Sequence, residues 1–508
     1  MKFDTDRPDL TLGVVGAGAM GRGIAQIAAA GGMQVLMMDT RAGVADEACD
    51  FIARMLRRAA EKGNMTQEGA AAALARIKIV NALVDFKPCH VVIEAVVENL
   101  EVKRQVFGEL ETLVAPDCIL ATNTSSLSVT MLAAKLKTPQ RFAGLHFFNP
   151  APLMRLVEIM PGMQTEEWVC EALAAIAKRM TREPVRCSEM HGFCAQVGRG
   201  PMLEAAQLVY EGIATFVDVD RVMRDVCGFR MGPFELMELT GLDVSYPSSE
   251  LLYDHSFHEP RFRPSPIMRA RWEARMFGRK TKKGFYDYDA EMNPIVAPEP
   301  AAPTVQPESV WVSPAEAHGH AALSTLLSKL GARLETAARP STQALCLVTP
   351  LGDDATTCAV EQGLDPKRTV AVDTLFPLVK RRTIMGTPLT DPAYRNAAHG
   401  LLAADGVPVT VCRDSPGFIA QRIVAMVVNL GCAIAQSRSG TPADIDKAVT
   451  LGLNYPDGPF KFADLLGVER VYRVLAAMYR IYGDPRYRPD IWLSRRAKLG
   501  VSALTPEP

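Results

Sequence analysis

The chain has 508 residues, 48% hydrophobic and 22% charged, with Lys+Arg 56 against Asp+Glu 57 for a formal net charge of -1. That length exceeds one ordinary core and predicts several domains. The even charge gives no reason to expect nucleic acid or an anionic membrane as partner, the acid-containing start MKFDTDRPDL does not read as an export signal, and no apolar stretch approaches the length of a membrane span.

Residues 10–15 read as a short buried strand, followed by a glycine turn, a helical run over Met20–Ala30 and a second apolar strand at Val35–Met38. This is a βαβ opening. Its turn is Gly16-x-Gly18-x-x-Gly21, with Asp39 at the end of the next strand. The first glycine permits the tight turn, the second lets the backbone approach a pyrophosphate, and the third lets helix and strand pack closely. The helix N-terminus then offers N–H donors to the phosphates. Gly16, Gly18, Ala19, Met20, Gly21 and Asp39 are therefore the candidate dinucleotide residues. Asp39 suits the ribose hydroxyls and repels a 2′-phosphate, favouring NAD over NADP, although Arg41 nearby is of the kind that accommodates that phosphate.

A charged helix follows (Ala45–Lys62), then strand candidates at Val91–Ala95 and Ile119–Thr122. His146 lies in Gly-Leu-His-Phe-Phe-Asn-Pro (144–150), and Glu158 follows 12 residues later in Leu-Val-Glu-Ile-Met. An acid embedded in apolar residues needs a partner. Paired with His146 it would set the ring tautomer and stabilise an imidazolium, as a general base requires. Around residue 190 the pattern changes to long apolar helices, and a proline-rich linker with five prolines covers 293–308. Beyond it, Leu345–Thr349 and Thr369–Asp373 read as strands of a smaller α/β unit.

The chain is a tandem duplication. Gly192-Phe193 leads to Gly232-Pro233-Phe234, Gly241 and Pro260-Arg261, while Gly417-Phe418 leads to Gly458-Pro459-Phe460, Gly467 and Pro485-Arg486. The gaps are 40 and 41 residues from Gly to Gly, then 7 and 7 from Phe234 to Gly241 and Phe460 to Gly467, then 27 and 26 from Phe234 to Arg261 and Phe460 to Arg486. Ile159 and Ile384 each precede their Gly-Phe by 33 residues. In that register Thr383 stands for Glu158 and Ala371 for His146. No Gly-x-Gly-x-x-Gly opens the second copy, so it reads as degenerate and non-catalytic. The 11 cysteines form no Cys-x-x-Cys pair, which suits reduced thiols in a cytoplasmic protein. His255/His258 and His318/His320 lack the further ligands of a metal site, so none is expected.

Five ordered motifs carry a family resemblance: Gly-Ala-Gly-Ala-Met-Gly-Arg-Gly-Ile-Ala-Gln (16–26), Glu-Ala-Val-Val-Glu-Asn-Leu-Glu-Val-Lys (94–103), Asn-Thr-Ser-Ser-Leu (123–127), Gly-Leu-His-Phe-Phe-Asn-Pro (144–150) and Met-Gly-Pro-Phe-Glu-Leu (231–236). Over roughly residues 8–290 the chain resembles the 3-hydroxyacyl-CoA dehydrogenase family. Its tandem length resembles the double-domain members of bacterial phenylacetate catabolism that act on 3-hydroxyadipyl-CoA.

The resemblance implies an α/β fold: an NAD-binding Rossmann-type domain (1–185), a helical 6-phosphogluconate-dehydrogenase-like domain (186–290), the linker (291–308), a reduced Rossmann-like domain (309–412) and a second helical domain (413–508). It implies NAD oxidation of a 3-hydroxyacyl-CoA, with 3-hydroxyadipyl-CoA or 3-hydroxybutyryl-CoA as acyl candidates. His146 would be the base, Glu158 its orienting partner, and Ser125 a contact of substrate and cofactor. Glu98, Lys103, Asn123 and Asn149 would line the NAD site, and Lys62 would meet the CoA phosphates. Gln196 stands where the family has Asn near the reacting oxygen, and Val197 replaces an Arg. Rival readings are a dehydrogenase of free sugar acids or hydroxy acids, and a non-catalytic dinucleotide-binding protein. The run Ile419–Ala435 is too apolar to leave in water, which predicts packing of residues 413–508 against 186–290 as an internal pseudo-dimer. The chain is then a monomer, with a homodimer as the alternative.

Overall fold

The computed structural model describes residues 3–188 and 192–507. They fall into two compact units, Met1–Ala195 with Ser439–Leu453, and Gln196–Arg438 with Asn454–Pro508. A segment from the second half of the sequence thus belongs to the first unit, which the duplication alone does not predict.

The first unit is built on eight strands: β1 (Thr11–Val15), β2 (Gln34–Met38), β3 (Ile77–Ile79), β4 (Val91–Glu94), β5 (Ile119–Thr122), β6 (Phe142–Phe147), β7 (Leu156–Pro161) and β8 (Glu183–Arg186). Their order is β3-β2-β1-β4-β5-β6-β7-β8. The strands from β3 to β6 are parallel, β7 runs antiparallel to β6, and β8 is parallel to β7. The central strands are apolar on both faces because helices cover both. The helix Ala19–Ala30 buries Ile24, Ile27 and Ala28 against the sheet. The strand order reverses between β1 and β4, and ligands lie in such a crevice. The helix Pro442–Leu453 packs on β7 and β8 at the far edge.

The second unit carries a small hairpin, β9 (Asp287–Tyr288) with β10 (Pro294–Ile295), and a six-stranded sheet of β11 (Val310–Val312), β12 (Leu334–Glu335), β13 (Leu345–Val348), β14 (Thr369–Val372), β15 (Arg382–Gly386) and β16 (Val409–Cys412). Its order is β12-β11-β13-β14-β15-β16, with β15 antiparallel to β14. The antiparallel pair identifies β14 and β15 as the copies of β6 and β7.

This pairing corrects one expectation. In the first copy His146 lies opposite Glu158 and Leu145 opposite Ile159. In the second, Val372 lies opposite Ile384 and Ala371 opposite Met385, and the Asp373 N–H donates to Thr383 O at 3.0 Å. Asp373 therefore occupies the His146 position, and Ala371 does not. Thr383 does stand for Glu158. The connection between the two strands is two residues shorter in the second copy, and a constant sequence offset cannot see that.

The second copy also closes its own helix end. Where the first has the glycine turn, the second reads Ser313-Pro314-Ala315-Glu316, and the Glu316 carboxylate accepts the Gly319 N–H. A side-chain carboxyl thus occupies one of the N–H groups that a pyrophosphate would need.

Within the second unit the two helical copies pack together. In Ala420–Gln436 nearly every residue is buried, and Gly200 of the facing helix lies so close that a Cβ would stand 2.6 Å from Leu430 Cδ1. Arg422, fully buried, pairs through Nε with Glu204 and through Nη1 with Glu211 Oε2 at 2.8 Å. Tyr487 Oη donates to Glu204 at 2.8 Å. The proline-rich linker is pinned: Arg381 pairs with Glu299 and Asp225, and Gly400 packs on Pro303 and Val305.

Candidate active site

The dinucleotide crevice shows a division of labour among its glycines. Gly16 has φ +99° and its Cα faces the Ala95 carbonyl, where a Cβ would lie 2.6 Å from the oxygen. A Cβ on Gly21 would collide with the Gly16 carbonyl, so the helix sits directly on the turn. Around Gly18, in contrast, nothing lies within 4 Å of an added Cβ. Gly18 caps the helix with no side-chain acceptor, leaving the first-turn N–H groups to meet a ligand, with Ala19 and Met20 in that turn. A cleft of about 530 Å³ opens here, lined by Gly16, Gly18, Asp39, Arg41, Ala95 and Val97 among others.

Asp39 Oδ2 accepts the Ala17 N–H at 2.9 Å, and Oδ1 accepts Arg41 N at 3.0 Å and Arg41 Nε at 3.1 Å. Burial pushes its carboxyl up, but the bonds from Arg41 and from the backbone outweigh that and hold it below the ordinary value. Arg41 is thus engaged by Asp39. An ionised carboxylate at the end of β2, an open helix end and a backbone clear of Cβ atoms fit a dinucleotide without a 2′-phosphate.

A buried clamp shapes the next wall. Lys103 Nζ, 1% exposed, pairs with Glu94 Oε1 at 2.6 Å and with Glu98 Oε2 at 3.2 Å. Thr122 donates to Glu94 at 2.7 Å. Glu98 Oε1 gathers Thr124 Oγ1 at 2.5 Å, the Ser125 N–H at 3.1 Å and Ser126 Oγ at 3.0 Å. Burial pushes the Glu98 carboxyl up, yet these donors and the Lys103 charge hold it below its ordinary value. Lys103 is thus buried and taken up by Glu94 and Glu98, while Ser125 is exposed in the segment after β5. Glu94, unremarked in the sequence beyond its place in a motif, is the buried anchor of this set. Asn123 Oδ1 accepts the Phe147 N–H at 2.8 Å and so ties β5 to β6. Asn149 is exposed just past β6, and Lys62 is exposed at the C-cap of Val44–Glu61.

His146 and Glu158 meet as predicted. They are cross-strand neighbours, and His146 Nδ1 lies 2.9 Å from Glu158 Oε2, with the ring 16% and the carboxylate 1% exposed. The twelve-residue spacing is thus a strand, a turn and a return strand. Glu158 Oε1 also accepts the Cys194 N–H at 3.2 Å. A Cβ on Gly192 would collide with the same carboxylate, which explains a glycine there. A carboxylate on Nδ1 makes that nitrogen the protonated one and leaves the Nε2 lone pair as the basic site. Gln196 lies on the helix Phe193–Tyr210 in the second unit. Among the described residues no group of three or more His, Cys, Asp or Glu side chains converges as a metal site, and no helix is long and apolar enough to cross a membrane.

Residues 11–190 match the family of 3-hydroxyacyl-CoA dehydrogenase NAD binding domains, and residues 192–288 and 417–503 match the C-terminal domain of the same enzymes. The chain belongs to the 3-hydroxyacyl-CoA dehydrogenase family. It is 34% identical over 491 residues to a 3-hydroxyadipyl-CoA dehydrogenase of Escherichia coli, covering 96% of this chain and 98% of that one. A 3-hydroxybutyryl-CoA dehydrogenase of Bradyrhizobium diazoefficiens is 37% identical over 278 residues, 54% of this chain and 94% of its own. A crystal structure of a 3-hydroxybutyryl-CoA dehydrogenase from Escherichia coli superimposes with a TM-score of 0.85 at 33% identity, covering 97% of this chain and 99% of that one. The tandem architecture is therefore shared along its whole length. This dehydrogenase uses NAD and oxidises the 3-hydroxyl of a 3-hydroxyacyl-CoA.

Proposed function

We propose that this dehydrogenase has one working centre per chain, with His146 as its general base and Glu158 as the group that orients it. The observation that carries this is the cross-strand bond from Nδ1 to a buried carboxylate. Nε2 takes the proton of the 3-hydroxyl, and Glu158 stabilises the imidazolium that results. Bound NAD supplies the acceptor for the hydride from C3. Gly16, Gly18, Ala19, Met20 and Gly21 would hold its phosphates and Asp39 its adenosine ribose. Glu98, Lys103, Asn123, Ser125 and Asn149 would form the nicotinamide side, with Ser125 also meeting the substrate. Lys62 is assigned to the CoA phosphates.

We assign Gln196 to the substrate, with support from the second copy. There its counterpart Gln421 donates through Nε2 to Asp373 Oδ1 at 2.9 Å, and Asp373 stands in the His146 position.

For the acyl group we favour 3-hydroxyadipyl-CoA, since the relative that shares the tandem length carries that name; 3-hydroxybutyryl-CoA is the second reading, from the tandem crystal structure. The chain is read as a cytoplasmic monomer. Initial rates of NADH formation with both thioesters decide the acyl group: a higher kcat/KM with 3-hydroxybutyryl-CoA rejects the first choice. Activity on the free hydroxy acids equal to that on the thioesters would reject both.

A further inference from the structure

The helix Pro442–Leu453 comes from the non-catalytic half, yet it is part of the unit that holds His146 and Glu158. Its inner face carries Ile445, Ala448, Val449 and Gly452, all buried. Gly452 leaves no room for a side chain, because a Cβ would lie 2.6 Å from both Cys194 Sγ and Leu156 Cδ2. Cys194 Sγ lies 3.2 Å from Ala448 O. Just before the helix, a Cβ on Gly440 would run into the Phe193 ring, and the Ser188 N–H donates to Ser439 O at 2.9 Å.

One residue gripped from this side, Cys194, also touches Glu158 from the other, and Gly192 two residues before it does so too. The Cys194 N–H is bonded to Glu158 Oε1, and Gly192 abuts Glu158. Leu156 precedes Glu158 by two on β7, hence on the same face of the strand. Gly192-Phe193-Cys194 is thus a thin layer held between the carboxylate and a helix supplied by the other half of the duplication.

We infer that the helix Pro442–Leu453 positions the His146–Glu158 pair, so that the degenerate half takes part in catalysis at one remove. Gly452, Gly440 and Cys194 are positioning residues, and none touches the reacting atoms. The inference rests on the reading of His146 as the base. A helix displaced by an added methyl loosens the Cys194 amide from Glu158, and the carboxylate then holds the imidazolium less well. That lowers the affinity of His146 for its proton, so the acid limb of the kcat/KM profile moves to lower pH while kcat falls.

The test uses full-length Gly452→Ala and Gly440→Ala, each alone and combined with Glu158→Gln, with circular dichroism to confirm folding. We expect each glycine variant to lower kcat roughly tenfold, less than the 10²–10⁴ expected for loss of an acid–base group. The acid limb should move in the same direction as in Glu158→Gln, and NAD affinity measured by calorimetry should stay within about twofold. In the Glu158→Gln background the glycine changes should add little, since coupled sites are not additive. An unchanged pH profile in both folded glycine variants overturns the inference, and so does an undiminished effect on top of Glu158→Gln. If Glu158→Gln alone leaves kcat and the profile intact, the base assignment itself fails, which is a different result.

Discussion

At the scale of single residues the centre is economical. His146 is oriented through Nδ1 by Glu158, whose other oxygen is taken by the Cys194 N–H. His146→Ala removes the proton acceptor and nothing that holds the dinucleotide. It should lower kcat by about 10²–10⁴ with NAD affinity unchanged by calorimetry; near-normal turnover would mean that another group takes the proton. Asp39 does two things at once, since it presents a charge at the end of β2 and engages Arg41, whose Nε is 3.1 Å away. Asp39→Ala removes the repulsion of a 2′-phosphate and releases a guanidinium able to bind one. The ratio of kcat/KM for NAD over NADP should fall by at least tenfold, and an unchanged ratio would place Asp39 away from the ribose. The His146–Glu158 pairing was legible in the sequence because an acid set among apolar residues needs a partner, but that the two face each other across antiparallel strands comes from the fold. The clamp of Glu94, Lys103 and Glu98 was not legible. Its members were visible as a motif, but which of them are buried and which face a ligand depends on packing.

At the scale of elements, β1, β2, β4 and β5 lie where their apolar runs and glycine punctuation placed them, and the tandem repeat announced the second sheet. What the sequence could not show was the shortened connection between β14 and β15, which puts Asp373 rather than Ala371 opposite Thr383. Asp373 is buried, Oδ1 accepts from Gln421 and from the Leu375 N–H, and Oδ2 has no partner among the described residues. Burial pushes its carboxyl up to about 6 from 3.8, with the hydrogen bonds from Gln421 and Leu375 opposing. A carboxyl raised in the folded state favours folding fully below the unfolded value, and that advantage is lost as pH rises through the folded value. Such a rise is worth about 3 kcal/mol, roughly half of it falling between pH 5 and 8. Asp373→Asn keeps the Oδ1 acceptor and does not titrate. Its stability relative to the parent in urea melts should therefore be higher at pH 8 than at pH 5 by about 1–2 kcal/mol, with kcat unchanged. A pH-independent difference would mean that Asp373 ionises as it would in water.

At the scale of the whole molecule the duplication has become unequal in a way that sets which helices pair. Arg422 and Glu204, 0% and 1% exposed, meet at the heart of the second unit. Their counterparts in the opposite copies are Val197 and Asn429, which carry no charge. Pairing two copies of Phe193–Tyr210 from different chains would bring Glu204 against Val197 and leave a buried carboxylate without its cation, which costs several kcal/mol. The network thus favours pairing within one chain, and Arg422→Met should destabilise the protein by about 3–5 kcal/mol in chemical denaturation. A smaller loss would mean that Arg486, 3.8 Å from Glu204, substitutes for it. The same asymmetry decides the fate of a chain cut after Ile295. Such a fragment keeps the glycine turn, His146 and Glu158, so sequence motifs alone predict an active enzyme. It loses Arg422, uncovers the helix that packs against Leu430, and loses the helix Pro442–Leu453 that backs Cys194. It should aggregate or form new dimers in sedimentation velocity and turn over at least tenfold more slowly than the full chain. A soluble, monomeric and fully active fragment would show that the second half neither covers the first helical copy nor braces its catalytic pair.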